Sequence, residues 1–405
     1  MYLQELIIFK ELASDPITNK YLNLLEASNP AEIRKAYFDL VKDLIAKETS
    51  FETHLYEKMM EVDNPILERL GHQQVKPGVL DIACIRNDLE ILKHMVTQDV
   101  EPILSEVNDK QNILAHIGNA PMKSARLQAY HNYFHKEIFP EDDEDILQFV
   151  ELLRLYGTGT FACNQVFYIN RQEQLTPIRK FSPLPWDEIY DYQTQKEALL
   201  KNTKALVEGR PFHHVILEGA SGTGKSSSVK AVVDLFTDQK LRLIQIYKSQ
   251  LQSLPSILDM ISGSIFKFII FIDDLSFESH DDDYKILKSY IEGGILNESN
   301  NIAFYVTSNR MHLIQQMRSE REGDMRINDF IQETTSLSAR FGLHLTFVKP
   351  DQKAYFSMIA KMLEKEKIEM PKGEMELEAK RWSMKHNGMS GRIAMQFVKH
   401  VKMNK

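Results

Sequence analysis

Apolar positions fall into two regimes along this chain. Up to about residue 174 they recur at three- and four-residue intervals, as in Ile82, Ile85, Leu89, Leu92 and Val96, which make one helical face. Asn29-Pro30 and Asn64-Pro65 each set a capping side chain before a proline suited to a first helical turn. The acidic run Glu141 to Asp145 precedes Ile146, Leu147, Phe149 and Val150, and reads as a helix start whose dipole the carboxylates offset. Residues 1–174 are therefore expected to form an all-α N-terminal domain. Pro177, Pro183 and Pro185 then interrupt the pattern, and their apolar neighbours predict a docked connector. Trp186 to Val207 reads as helix again.

Beyond that helix the apolar residues come in short unbroken runs separated by helical stretches. The runs are Val215 to Leu217, Leu241 to Lys248, Phe266 to Asp274, Ile302 to Asn309 and Leu343 to Val348. Tyr284 to Glu292 reads as a helix closed by Gly293-Gly294. This alternation predicts an α/β domain over 175–349, with a mostly parallel sheet covered by helices. After Pro350 only helical patterns remain, so 350–405 is expected to be a small helical lid domain.

The first strand-like run leads into Gly219, Ala220, Ser221, Gly222, Thr223, Gly224, Lys225, Ser226 and Ser227, which fits G-x-x-x-x-G-K-[ST]. Glycines let such a loop turn successive backbone N–H groups toward phosphate oxygens, and the helix that follows adds its positive end. Lys225 is expected to reach the β- and γ-phosphates of ATP, with Ser226 supplying a hydroxyl to Mg²⁺. The run FIIFIDD ends in Asp273 and Asp274. Ligands of parallel α/β sheets gather at the carboxyl ends of strands, so Asp273 is the expected Mg²⁺-side carboxylate. Asp274 stands where an acid that orients water is expected, and is one methylene shorter than Glu. Glu278 is the nearby alternative. Asp281, Asp282 and Asp283 read as a solvated helix cap.

Composition narrows the picture in three ways. A net charge of −8 gives no general electrostatic reason to bind nucleic acid, and no basic stripe with interleaved aromatics appears. Cys84 and Cys163 are too few for a disulfide framework or zinc knuckle, and fit a reducing cytoplasm. No run of 18 apolar residues occurs, so no membrane span is expected, and the N-terminus lacks the pattern of a signal peptide. His131 and His135 lie four apart, as paired metal ligands would, but without the glutamate of H-E-x-x-H between them. That spacing alone reads as ordinary helix surface.

The stretch from Ile189 to Phe397 resembles the bacterial AAA+-type ATP-binding family catalogued as domain of unknown function 815. The pieces that carry the resemblance are IYDYQTQKEALLKNT, GASGTGKSSSVKA, KFIIFIDDLSFE, YKILKSYIEGG, YVTSNRMHLI, SLSARFGLHLTF and GMSGRIAMQF. The resemblance implies a P-loop core with a helical lid, and roles that spacing could not assign. Asn309 looks like the polar sensor beside the attacking water, and Arg340 like a finger that reaches a neighbouring subunit's nucleotide. Arg392 looks like the lid's sensor arginine, and Ile189 to Tyr192 would help enclose the adenine. The chain departs from the family pattern at Ala339, where a charged residue is usual, and at Met311, where a second arginine is.

The expected function is Mg²⁺-dependent hydrolysis of ATP to ADP and phosphate, coupled to conformational change or assembly. The partners it implies are further copies of the chain, as in a ring, and a client protein. A rival reading is a nucleotide-gated interaction module with negligible turnover, favoured by Asp274 in place of Glu. A small-molecule kinase shares the phosphate loop but not the motifs around Arg340 and Arg392. Nucleic-acid remodelling rests on fold analogy alone.

Overall fold

The uninterrupted apolar runs form strands of a single sheet: β1 Val166–Ile169, β2 Leu175–Pro177, β3 Val215–Gly219, β4 Leu241–Ile246, β5 Lys267–Ile272, β6 Ile302–Ser308 and β7 Leu343–Phe347. Their order is β2-β1-β4-β5-β6-β3-β7. Every neighbouring pair is parallel except β1 and β2. All residues of β3 and β6 are buried, as in a sheet covered on both faces. The coordinates are a computed structural model describing residues 3–72, 75–98, 100, 105, 107, 113–118, 122, 124–136, 143–276, 283–291, 301–309, 337–386 and 388–404. Glu278, Arg310, Met311, Asp281 and Asp282 lie outside the described residues, and Asp283 begins the helix Asp283–Ile291.

The chain divides into two compact units, Met1–Asn164 and Gln165–Lys405. The first is helical and has its own core, including Tyr37, Leu40, Leu55, Tyr56, Leu92, Phe134 and Phe149. Asn29 and Asn64 cap their helices as the Asn-Pro pairs predict, accepting from Ala31 at 3.1 Å and Ile66 at 2.9 Å. Asp88 is fully buried, and its carboxylate accepts the N–H groups of Ile7 at 2.9 Å, Ile8 at 2.7 Å and Phe9 at 2.9 Å. These three donors would otherwise be unsatisfied in the interior.

Purely helical structure does not extend to 174. Val166–Ile169 lies parallel to β4, with Phe167 opposite Ile244. Four residues are too few to reveal a period, and pairing along the β4 edge decides their state.

In the second unit, the helices Gln193–Val207 and Lys225–Asp234 pack with one face of the sheet through Leu199, Leu206, Val229, Val232 and Val233. Leu254–Ile261 supplies another amphipathic helix, with Ile257, Leu258 and Ile261 buried. The last three helices, Gln352–Lys365, Lys372–Lys385 and Gly391–Met403, share a core of Tyr355, Ile359, Leu363, Ala379, Ala394 and Phe397. Asp351 starts the first by accepting from Ala354 at 2.7 Å, and Ser390 starts the last by accepting from Ile393 at 3.3 Å. Among the described residues no helix is long and apolar enough to cross a membrane.

At the end of the sheet away from the phosphate loop, His214 Nδ1 accepts the N–H of Phe304 at 3.2 Å. Burial, aided by the nearby His213, pulls the His214 pKa down from 6.5 to about 4. The fold therefore holds this imidazole neutral, whereas the unfolded chain takes up a proton as pH falls below 6.5. Stability should rise with pH between about 4 and 6.5 and be insensitive to His214 above that window, an effect of at most about 3 kcal/mol. Urea unfolding at several pH values checks this, and His214→Gln should flatten the slope in that window.

Candidate nucleotide-binding site

The strand order sets the geometry of the site. β6 lies between β3, which carries the glycine-rich loop, and β5, which carries Asp273 and Asp274. Three adjacent carboxyl ends therefore converge, and side chains from all of them meet.

The loop begins where β3 meets β7. Gly219 has φ +140°, and a Cβ there would lie 2.1 Å from the Phe347 carbonyl oxygen, so only glycine fits. Gly222, at φ +80°, faces the lid, where a Cβ would meet Ser390 Oγ at 3.0 Å and Arg392 Cβ at 3.2 Å. The Arg392 N–H donates to the Gly222 carbonyl at 3.2 Å. The tip of the loop is thus held by the start of the last lid helix.

Lys225 is the first residue of the helix Lys225–Asp234 and is 5% exposed. Its ammonium donates to the carbonyls of Gly219 at 2.7 Å and Ala220 at 2.9 Å, and to Asn309 Oδ1 at 3.0 Å. Burial lowers its pKa, while Asp274 and Asp273 act in the opposite direction. Asn309 continues the chain of contacts, since its Nδ2 donates to Asp274 Oδ1 at 2.6 Å. Asp274 itself is exposed and sits at φ +55°, a left-handed conformation that Asp adopts more readily than most residues.

Asp273 is organised from the other side. Ser226 Oγ and Thr307 Oγ1 both donate to Asp273 Oδ1 at 2.6 Å. Thr307 Oγ1 also accepts the Asp274 N–H at 2.8 Å. A cation of Mg²⁺ size fits this pair, because neighbouring oxygens of an octahedral shell with bonds of about 2.1 Å stand about 3 Å apart. A small rotation of Ser226 and Asp273 would turn both oxygens to such an ion.

These groups line a cavity of about 350 Å³. Ser221, Gly222, Thr223, Gly224, Lys225, Ser226, Ser227, Asp273, Asp274, Thr307, Asn309 and Arg392 all contribute to it. Gly219 and Ala220 do not line it and act through their carbonyls on Lys225. The lining also includes Glu188, Ile189, Tyr190 and Tyr192, with Met358, Met362 and Met395 of the lid. Asp191 and Tyr192 have φ of +68° and +60°, two strained residues in a row, at a cost of roughly 1–2 kcal/mol each. Tyr192 is held by its hydroxyl, which donates to the Val348 carbonyl at 2.6 Å, and by its ring, 4.8 Å from that of Phe347.

Arg340 is exposed and is not among the residues lining the cavity. Thr307 and Lys196 act in the site without a motif to mark them. Thr307 organises Asp273, and its signal in the sequence is a hydroxyl two residues before Asn309, at the polar end of an apolar run. Lys196 is buried, with its ammonium donating to the Trp186 carbonyl at 2.8 Å and the Ile189 carbonyl at 3.0 Å. It fastens this wall from behind, and a lysine in a helix full of lysines gave no warning of it.

Comparisons with solved structures return chains of low identity. The Thermotoga maritima RuvB Holliday junction branch migration motor is 17% identical, with 54% of this chain and 64% of that one covered, at a TM-score of 0.36. A Walker-type ATPase of Pyrococcus abyssi is 14% identical over 56% and 72% of the two chains, at 0.37. The FIGL-1 AAA domain in complex with ADP is 16% identical over 52% and 70%, at 0.35. The chain thus spans less than two thirds of the RuvB structures it matches. No curated protein matches. The family model described as "Protein of unknown function (DUF815)" matches residues 162–405, which include the whole sheet, the cavity and the lid. More than half of the chain lies within that match, and the protein belongs to this family.

Proposed function

We propose that this protein binds ATP with Mg²⁺ and hydrolyses it to ADP and phosphate, in an assembly of several copies. The observation that carries the reading is the pair of linked networks at the strand ends. Lys225–Asn309–Asp274 and Ser226–Asp273–Thr307 face one cavity that Ile189, Tyr190 and Tyr192 also line. The triphosphate would lie along the loop from Ser221 to Ser227 and the base against Ile189, Tyr190 and Tyr192. Lys225 would exchange one of its present acceptors for phosphate oxygens. Ser226 and Asp273 would hold Mg²⁺, which neutralises charge developing on the phosphoryl oxygens.

In hydrolysis a water oxygen bonds to the γ-phosphorus as the bond to the β,γ-bridging oxygen breaks, leaving ADP and inorganic phosphate. Asn309 is suited to hold that water, and Asp274 or Glu278 to orient it. Arg392 would connect nucleotide state to the lid at 350–405 through the loop tip at Gly222. Arg340, exposed on its own subunit, is suited to complete a neighbour's site. A client protein and a cytoplasmic setting complete this reading.

A second reading is a nucleotide-gated module that binds ATP and turns it over negligibly. The engagement of Asp274 by Asn309 favours it, because that carboxylate is already committed. Phosphate release from the wild-type protein separates the two readings.

Lys225→Ala should lose nucleotide affinity and turnover together. Arg340→Ala should bind ATP nearly as well as the parent yet lose ~10³-fold or more in turnover, the range for an arginine supplied in trans. Mixtures of the two inactive variants should regain part of the activity, since one still donates Arg340 and the other still has an intact loop. Phosphate release from titrated mixtures, with binding followed by a fluorescent nucleotide, checks this. Full activity of Arg340→Ala in a monomeric preparation would remove the finger.

Asp274→Asn should slow hydrolysis more than binding if this carboxylate orients water. Single-turnover rates for Asp274→Asn and Glu278→Gln decide between the two acids, and normal rates for the first with loss in the second assign the role to Glu278.

A further inference from the structure

A second site lies in the helical unit, far in sequence from the phosphate loop. Helix Ala125–Phe134 carries His131, and His135 is its C-cap residue. The spacing of four turns both rings to one side, with centroids 4.2 Å apart. Glu52, in the first turn of helix Phe51–Glu61, comes to meet them. A single oxygen, Glu52 Oε2, lies 3.0 Å from His131 Nδ1 and 3.1 Å from His135 Nε2. The three ligand atoms all fall within 4.8 Å of one another.

We propose that Glu52, His131 and His135 form a zinc site that clasps the start of one helix to the end of the other. A tetrahedral Zn²⁺ with bonds of about 2.0–2.1 Å sets its ligand atoms about 3.3 Å apart. Two of the three separations are already near that value, and small ring rotations close the third. Two imidazole nitrogens and one carboxylate oxygen suit Zn²⁺, whereas Mg²⁺ prefers oxygen alone. Three protein ligands leave the fourth position open, and the ligand side chains are 30–38% exposed, so water can reach it.

The surroundings point the same way. The Tyr56 hydroxyl, one helical turn beyond Glu52, is buried beside the Glu52 carboxylate. With one Glu52 oxygen on the metal, the other can accept from this hydroxyl, the outer-shell support that ligating carboxylates usually have. Without a metal, both imidazoles must present N–H to the same oxygen.

The test is calorimetric titration of the full-length protein with Zn²⁺ at neutral pH, in excess Mg²⁺ to occupy oxygen-rich sites. One Zn²⁺ per chain should bind with Kd below about 1 µM, and Glu52→Gln, His131→Ala and His135→Ala should each weaken it by about 100-fold. Circular dichroism checks that each variant keeps its helices. Co²⁺ bound to the wild type supplies a readout independent of variants, an intense visible band being expected from four-coordinate geometry. No saturable Zn²⁺ binding, unchanged binding in all three variants, or only the weak spectrum of six-coordinate Co²⁺ would overturn the site. Any of these would leave the carboxylate as a plain hydrogen-bonded bridge.

Discussion

The candidate site depends on keeping one ammonium group satisfied inside the protein. Removing a lysine charge from water costs several kcal/mol, and a hydrogen bond to a charged group returns about 1.5–3 kcal/mol. Lys225 has three donors, and three acceptors surround it: the Gly219 and Ala220 carbonyls and Asn309 Oδ1. Two of these are loop backbone, so the same contacts that stabilise the charge also fix the loop's curvature. The third ties the loop to β6, and through Asn309 to Asp274. Phosphate oxygens are the natural replacement for such acceptors, which is why an arrangement stable by itself is also ready for a ligand.

Strand order makes this arrangement available. With β6 between β3 and β5, Thr307 and Asn309 stand between the loop and the two aspartates. Thr307 then serves both acids, donating to the Asp273 carboxylate and accepting from the Asp274 backbone. The lid enters through backbone, from the Arg392 N–H to the Gly222 carbonyl. A change in the loop tip therefore reaches the last helix without a side-chain intermediary.

Much of this was legible in the sequence where one residue type is forced by local chemistry. The spacing of Gly219, Gly224, Lys225 and Ser226 located the loop, and the acids ending FIIFIDD located Asp273. The parallel sheet followed from the alternation of apolar runs and helical stretches. What escaped depended on pairing across the chain. Val166–Ile169 is a strand because β4 offers an edge, and Lys196 matters because the turn at Trp186 to Ile189 exposes carbonyls to it. Glu52 joins His131 and His135 only through helix packing. Periodicity reports which face of an element is buried, and it is silent about which distant element covers that face.

If the loop and its two networks form a site for the phosphates of a nucleotide, affinity should follow the number of phosphates. Calorimetric titration of the intact protein with ATP, ADP and AMP, each with and without Mg²⁺, tests it most directly. ATP and ADP should bind, Mg²⁺ should strengthen ATP binding, and AMP, which lacks a β-phosphate for the loop to cradle, should bind at least about 100-fold more weakly. Equal affinity for AMP and ATP, or no ATP binding at millimolar concentration, would contradict it.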